Sequence, residues 1–262
     1  MQEELEIAIQ AALKAGKAIM AIYDNEDFGI EFKSDNSPLT RADLASHAII
    51  IEELTRTSIP VLSEEGRSIP FEERKNWSKL WIVDPIDGTK EFIKKNGEFT
   101  VNIALVENGE PIAGVIYVPV TGEIFFASKF IGAKKSTIRS SFPTAQSVIE
   151  NSINLPQIKM NKEYTVVASR SHMNPETESY IAELHSKHGK ISIISKGSSL
   201  KLCLVAEGIA DCYPRFAPTM EWDIAAGHAI CKYAGFNVID QQTMKEMIYN
   251  REELLNNWFI VQ

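Results

Sequence analysis

The chain has 262 residues, 44 % of them apolar and 24 % charged, with a formal net charge of −8. That length and composition can bury a large core in one domain or two, and the acidic balance disfavours non-specific binding to a nucleic-acid polymer or an anionic membrane surface. A small anionic substrate stays open, because bound cations reverse the local field.

The first residues, Met1-Gln2-Glu3-Glu4, are acidic, whereas a secretory leader starts basic and turns apolar. In residues 3–23, Leu5, Ala8, Ile9, Ala12, Leu13, Ile19 and Ile22 fall on one helical stripe. Thr40 with Asp43 reads as a capping box, opening a second helix that carries Leu44, Ala48, Ile51 and Leu54. Pro60-Val61-Leu62-Ser63 is a short strand ending at Glu64, and Trp81-Ile82-Val83 is another that runs into Asp84. Pro85 fixes φ and removes a ladder donor, so the chain is expected to turn there. From Glu98 to Ala127 the pattern is an antiparallel meander, with turns at Asn108-Gly109 and Gly122.

Residues 129–162, rich in Lys, Ser and Asn, show no readable period, and a domain boundary is expected there. It divides the chain into an N-terminal α+β domain, 1–155, and a C-terminal α/β domain, 156–262. Beyond it, strands at 164–168, 191–195, 210–213, 236–239 and 258–261 alternate with helices at 175–188, 198–207 and 222–233. The fold class is therefore mixed α/β, built of layered helices and sheets. No apolar run reaches the roughly 20 residues of a membrane span. Cys203, Cys212 and Cys231 match no zinc spacing and read as buried, reduced thiols. The expected location is the cytoplasm, with peripheral attachment to the inner membrane compatible with it.

The chemistry concentrates in Asp84-Pro85-Ile86-Asp87-Gly88-Thr89. A strand delivers Asp84, a turn brings Asp87 beside it, Gly88 gives close backbone access and Thr89 adds a hydroxyl. Two adjacent carboxylates repel unless they are protonated or share a cation, and Mg²⁺ takes oxygen ligands of this kind. By itself the motif suits a solvated surface turn equally well. Glu64-Glu65 after one strand and Asp223 at a helix start, in Glu221-Trp222-Asp223, supply further acids, although each also suits a loop or an N-cap. Other phosphate motifs fit less well. Gly132-Ala133-Lys134-Lys135-Ser136 lacks the first glycine of a P-loop, and an aspartyl-phosphate site wants one residue between its acids rather than two. An EF-hand fails because Ile86 and Gly88 occupy its third and fifth positions.

Together, Glu64-Glu65, Asp84 to Thr89 and Trp222-Asp223 resemble the inositol monophosphatase superfamily of metal-dependent, lithium-sensitive phosphatases. The block 84–109, with 34–43, 61–66, 197–208, 213–219 and 221–229, is similar to its CysQ branch, the 3′(2′),5′-bisphosphate nucleotidases. The resemblance implies an αβαβα sandwich and Mg²⁺ as cofactor, two or three ions. It implies Glu64, Asp84, Asp87, Asp223 and the Ile86 carbonyl as metal ligands, with Asp43 and Thr89 orienting a metal-activated water. Gly88 and Thr89 would hold the scissile phosphate, close to Glu64, Asp87 and Asp223. His172, Ser198, Lys201 and Arg215 match positions that bind the nucleotide and its second phosphate. Singly, these four also have structural readings: a helix cap, an N-cap, a solvated helix face and an ordinary ion pair. Gly132-Ala133-Lys134 departs from the Gly-Ala-Trp or Gly-Ala-Phe of many relatives.

The implied reaction is hydrolysis of the 3′-phosphate of adenosine 3′,5′-bisphosphate. The partner is thus a small anionic nucleotide rather than a nucleic-acid polymer, and a homodimer is an open assembly. An inositol or sugar phosphatase on the same scaffold is the alternative within enzymes, and a non-catalytic metal- or nucleotide-binding regulator the alternative outside them.

Overall fold

The computed structural model describes residues 2–25, 28–33, 38–139, 143–157, 163–168 and 174–262. Helix α1 (Gln2–Tyr23) is followed by a small hairpin, β1 (Glu31–Phe32) and β2 (Pro38–Leu39), and by α2 (Arg41–Leu54). Then come β3 (Val61–Ser63), α3 (Phe71–Arg74), β4 (Lys79–Asp87) and α4 (Thr89–Ile93). The meander is β5 (Thr100–Glu107), β6 (Glu110–Val118), β7 (Glu123–Ser128) and β8 (Gly132–Thr137), followed by α5 (Ala145–Glu150) and β9 (Ile153–Asn154). The second half holds β10 (Tyr164–Ala168), α6 (Pro175–His188), β11 (Ile191–Ser195), α7 (Leu200–Ala206), β12 (Tyr213–Arg215) and α8 (Glu221–Tyr233). It closes with β13 (Val238–Asp240), β14 (Lys245–Glu246) and β15 (Phe259–Val261).

Strands β3 to β9 form a seven-stranded sheet in sequence order, antiparallel except for the parallel β3–β4 pair. Its strands alternate with period two. Trp81, Val83, Val101, Ile103 and Val115 face α1 and α2, in one cluster with Leu5, Ile9 and Ile50. Leu80, Ile82, Ala104 and Ile116 face the other way, onto Leu202, Ala226 and Ile230 of α7 and α8. Beyond those helices lie Val238, Phe259 and Val261 of the sheet β12-β15-β13-β14, while Leu184, Tyr180 and Ile181 of α6 pack with Val166, Cys212 and Ile260. The order is helix, sheet, helix, sheet, helix, as the resemblance implies. Close packing of the middle layers depends on Gly114, where a Cβ would meet the Ala226 carbonyl oxygen of α8 at 2.4 Å. Among the described residues, no helix is long and apolar enough to cross a membrane.

Pro85 does not end its strand. β4 runs on to Asp87, with Asp84 opposite Asn102 and Asp87 opposite Thr100, and the register shifts between the two pairs. Three steps on β4 thus oppose two on β5, which is a bulge of one residue. Proline is tolerated there because the ladder asks no donor of it. The stretch 129–162 is also more regular than its composition suggests. It contains β8, α5 and β9. The lysines of β8 are accommodated by partners, since Lys135 lies 2.6 Å from both Glu123 and Glu207. A capping box of Thr144 and Ser147 opens α5. The strand expected at 210–213 forms instead at Tyr213–Arg215, with Cys212 making only an isolated bridge to Val166. The helix expected from Ser198 starts at Leu200, because Ser198 has φ +42°. The division near residue 155 stands as a proposal about chain organisation, and one apolar cluster spans Leu62 to Val261.

Candidate active site

The bulge decides the geometry of the acids. Residues three apart on a regular strand point to opposite faces, and one inserted residue returns them to the same face. Carboxylate oxygens of Asp84, Asp87 and Asp223 accordingly all lie within 4.8 Å of one another. Asp84 is buried at 1 % exposure, and its Oδ1 accepts the Ile86 amide at 3.0 Å. Asp223 is the third residue of α8, where its Oδ2 accepts the Met220 amide at 2.8 Å. Burial, with the charges of Glu64, Asp87 and Asp223 nearby, pushes the Asp84 carboxyl well above the ordinary carboxylate range. Burial pushes Asp87 up to about 6, and burial with the Asp87 charge pushes Asp223 up to about 8. Glu64, at the end of β3, accepts from Lys33 Nζ at 2.9 Å, and Lys33 also pairs with Glu65 at 2.5 Å.

On one side of this cluster stand Asp43 and Thr89. Asp43 completes the capping box of α2, with Oδ2 accepting the Thr40 amide at 2.7 Å. Its Oδ1 accepts from Thr89 Oγ1 at 3.2 Å, so a helix cap also orients the first residue of α4. Burial raises the Asp43 carboxyl, and the hydrogen bonds from Thr40 and Thr89 oppose that. Thr89 Oγ1 lies 3.4 Å from the Ile86 carbonyl oxygen. Gly88 has φ +94°, and a Cβ there would meet the Glu98 carbonyl at 3.2 Å and Ser198 Cβ at 3.3 Å.

On the other side opens a cavity of about 210 Å³, lined by Asp87, Gly88, Asp223, Ser198, Lys201 and Arg215 among others. Lys201 is buried at 7 % exposure with Nζ donating to the Ser198 carbonyl at 2.6 Å. Burial pulls its ammonium down to about 8, against the attraction of Asp87. Arg215 donates through Nη2 to the Pro218 carbonyl at 3.0 Å. Two buried polar atoms of this cavity, Ser198 Oγ and Arg215 Nε, have no protein partner. Buried donors in that state fit a polar ligand. His172 lies outside the described residues.

Sequence reading missed several groups here. Thr100, Asn102 and Ser199 form a buried polar knot against Asp87, and Glu98 ties the Lys196–Gly197 turn through its carboxylate. One signal was available. Asn102 interrupts an otherwise apolar strand, Val101-Asn102-Ile103-Ala104, and a polar residue inside such a run needs a polar partner.

The sequence profile of the inositol monophosphatase family matches residues 1–259. The chain belongs to that family. Within the family, the chain is 44 % identical over 261 residues to the 3′(2′),5′-bisphosphate nucleotidase CysQ of Salmonella typhimurium, covering 98 % of each chain. It superposes on the crystal structure of CysQ from Bacteroides thetaiotaomicron with a TM-score of 0.91 and 53 % identity, covering 100 % of this chain and 97 % of that one. A Thermotoga maritima inositol monophosphatase gives a TM-score of 0.74 at 25 % identity, with 100 % and 92 % covered.

The family is metal-dependent, and the acidic cluster fits such an ion. Its donors are all carboxylate oxygens, the set a hard divalent cation takes. Their pKa values are raised by burial and mutual repulsion, the penalty that a shared cation relieves.

Proposed function

We propose that this protein is a Mg²⁺-dependent 3′(2′),5′-bisphosphate nucleotidase that converts adenosine 3′,5′-bisphosphate and water to AMP and inorganic phosphate. One observation carries the reading: a carboxylate cluster fit for cations opens into the same cavity as Lys201, Arg215 and the unpartnered Ser198 hydroxyl. A monophosphate needs the first group, and a second phosphate gives the cations a purpose. The relatives named CysQ support the nucleotide as substrate.

Asp84, Asp87, Asp223, Glu64 and the Ile86 carbonyl would hold two or three Mg²⁺, with Glu64 exchanging Lys33 for the ion. When bound, the ions supply Lewis acidity, lowering the pKa of a water and stabilising the leaving oxygen. The chain's own residues do the positioning. Thr89 donates its O–H hydrogen bond to Asp43, which leaves its Oγ1 lone pairs to accept a hydrogen bond from the attacking water. The amides at Gly88 and Thr89 face the scissile phosphate. The water oxygen bonds to phosphorus as the P–O3′ bond breaks, and one proton of that water ends on the leaving 3′-oxygen, giving AMP and inorganic phosphate. Lys201, Arg215 and Ser198 grip the 5′-phosphate and set which ester meets the carboxylates. The same reading takes His172 as a nucleotide contact. Three buried, unpaired thiols support a reducing compartment, the cytoplasm.

The test compares phosphate release from adenosine 3′,5′-bisphosphate, inositol 1-phosphate and fructose 1,6-bisphosphate, each with Mg²⁺, with EDTA and with Li⁺. The expected result is the highest kcat/KM on the bisphosphorylated nucleotide, abolished by EDTA and inhibited by Li⁺. Preference for either other ester would point to an inositol or sugar phosphatase, and binding without release to a regulator.

A further inference from the structure

Under the carboxylate cluster lies a polar knot among apolar walls. Thr100, Asn102 and Ser199 are exposed by only 0, 1 and 2 %. Ser199 Oγ donates to Asn102 Oδ1 at 2.8 Å, Thr100 Oγ1 lies 3.0 Å from the same oxygen, and the two hydroxyls are 2.7 Å apart. The other end of the amide, Asn102 Nδ2, faces Asp87 Oδ2 at 3.4 Å. That carboxylate oxygen also accepts the Ser199 amide at 2.6 Å.

The face of β5 that carries Asn102 also carries Ala104 and Val106, both in the apolar cluster under α7 and α8. An apolar residue would pack there, and a polar one left unpaired is costly. The fold alone therefore gives no reason for asparagine. Its two ends do. The NH₂ group points at an acceptor, the ionised carboxylate a cation requires, and the carbonyl points at two hydroxyls. One planar side chain thus touches Asp87, in the metal-type cluster, and Ser199, which immediately precedes α7. Ser198 and Lys201 flank that position.

We infer that Asn102 is a positioning residue that couples the two ends of the site, holding the Asp87 carboxylate and, through Ser199 Oγ, the first turn of α7. A cation on Asp87 and an anion on Ser198 and Lys201 then favour one another reciprocally. The identity of the anion rests on the nucleotidase reading, whereas the link between Asp87 and α7 does not.

Asn102→Ala tests it. The variant keeps the hydroxyls of Thr100 and Ser199 within reach of each other, so it is expected to fold. Three quantities are read: the Mg²⁺ concentration that half-saturates the rise in melting temperature of the metal-free protein, and KM and kcat for adenosine 3′,5′-bisphosphate at saturating Mg²⁺. Residues that orient a metal ligand typically cost at least about tenfold in metal affinity, and that rise in half-saturation is expected, with a similar rise in KM and a smaller loss of kcat. Ser199→Ala keeps the amide bond to Asp87 and loses the hydroxyl. It is expected to raise KM while leaving the Mg²⁺ half-saturation unchanged. The inference is overturned if Asn102→Ala leaves the Mg²⁺ half-saturation unchanged, including the case where melting falls equally at every Mg²⁺ concentration. Should that variant not fold, an unchanged KM in Ser199→Ala overturns it. If the wild-type protein does not hydrolyse the bisphosphate, the nucleotidase reading falls, while the Mg²⁺ titration still decides the role of Asn102.

Discussion

The backbone amide of Ser199 donates to Asp87 Oδ2 at 2.6 Å across 112 residues of sequence. That bond joins the bulge of β4 to the turn that opens α7, and so joins the acidic cluster to the cavity of Lys201 and Arg215. Charge on Asp87 therefore matters to both.

Asp87→Asn keeps an oxygen for the Ser199 amide but removes the charge a cation needs. Phosphate release is expected to fall at least about 100-fold, the scale on which metal-site charge contributes to catalysis, with the circular dichroism spectrum unchanged. Near wild-type turnover would remove Asp87 from the metal site.

Asp43 serves two partners, Thr40 and Thr89, so Asp43→Ala, which removes both acceptor oxygens, should have two effects. Weakening the α2 cap is expected to cost about 1 kcal/mol in urea denaturation. Losing the acceptor for Thr89 is expected to lower kcat about 100-fold or more, the range of a positioned proton relay. Thr89→Ser should retain most activity and Thr89→Val little. Equal activity in the two threonine variants would dismiss the hydroxyl.

Lys201→Met should raise KM for the bisphosphate more than it lowers kcat. Because burial brings the Lys201 ammonium down to about 8, its charge is lost as pH rises through that value. KM in the wild type should therefore climb above about pH 8, and Lys201→Arg, which stays protonated, should flatten the climb. A KM independent of pH in the wild type would exclude the cation from binding.

Metal removal should act in a pH-dependent way. Asp87 at about 6 and Asp223 at about 8 stand above their ordinary 3.8. A raised carboxyl pKa gives stability that is present below the unfolded value and lost as pH rises through the folded one. The metal-free protein should thus weaken as pH rises from the ordinary 3.8 through about 6 and about 8, and the rise in melting temperature on adding Mg²⁺ should grow over the same window. A rise of constant size from low to high pH would contradict this.

Away from the site, His228 is fully buried, with Nδ1 at 2.8 Å from Tyr249 Oη and Nε2 at 3.0 Å from Glu246. Burial lowers the imidazole, and its hydrogen bond holds Glu246 down to about 2. Both shifts are downward, so stability from this pair is full above the ordinary histidine value of 6.5 and is lost as pH falls below it. Tyr249→Phe removes one donor and is expected to cost about 1 to 2 kcal/mol with kcat/KM unchanged. Urea midpoints from pH 6.5 to 4.5 should fall in the wild type, and a flat profile would refute the assignment.

The major helices were legible because their apolar residues repeat on one face, as Leu5, Ile9 and Ile19 do in α1. The capping box at Thr40 was equally legible, since it needs only a local spacing. β8 was not, because its half-buried lysines break the alternation and Lys135 relies on Glu123 and Glu207, which lie far from it in sequence. Asn102 was passed over for a related reason: its partners lie at 87 and 199, and no window of local pattern contains both.

By itself the sequence determined which groups are available: Asp84, Asp87, Thr89, Glu64 and Asp223, with Lys201 and Arg215 in the second half. It also determined most of the chain order of helices and strands, since periodicity is a local property, while the five-layer arrangement came from the family resemblance. Only the tertiary structure decided that Asp84 and Asp87 share a face, because that depends on a one-residue bulge that proline permits but does not announce. It alone decided that Asp43 caps one helix and holds the threonine of another, and that Lys33 sits on Glu64. Those contacts join residues far apart in the chain, and their energies depend on burial, which a list of residue types does not contain.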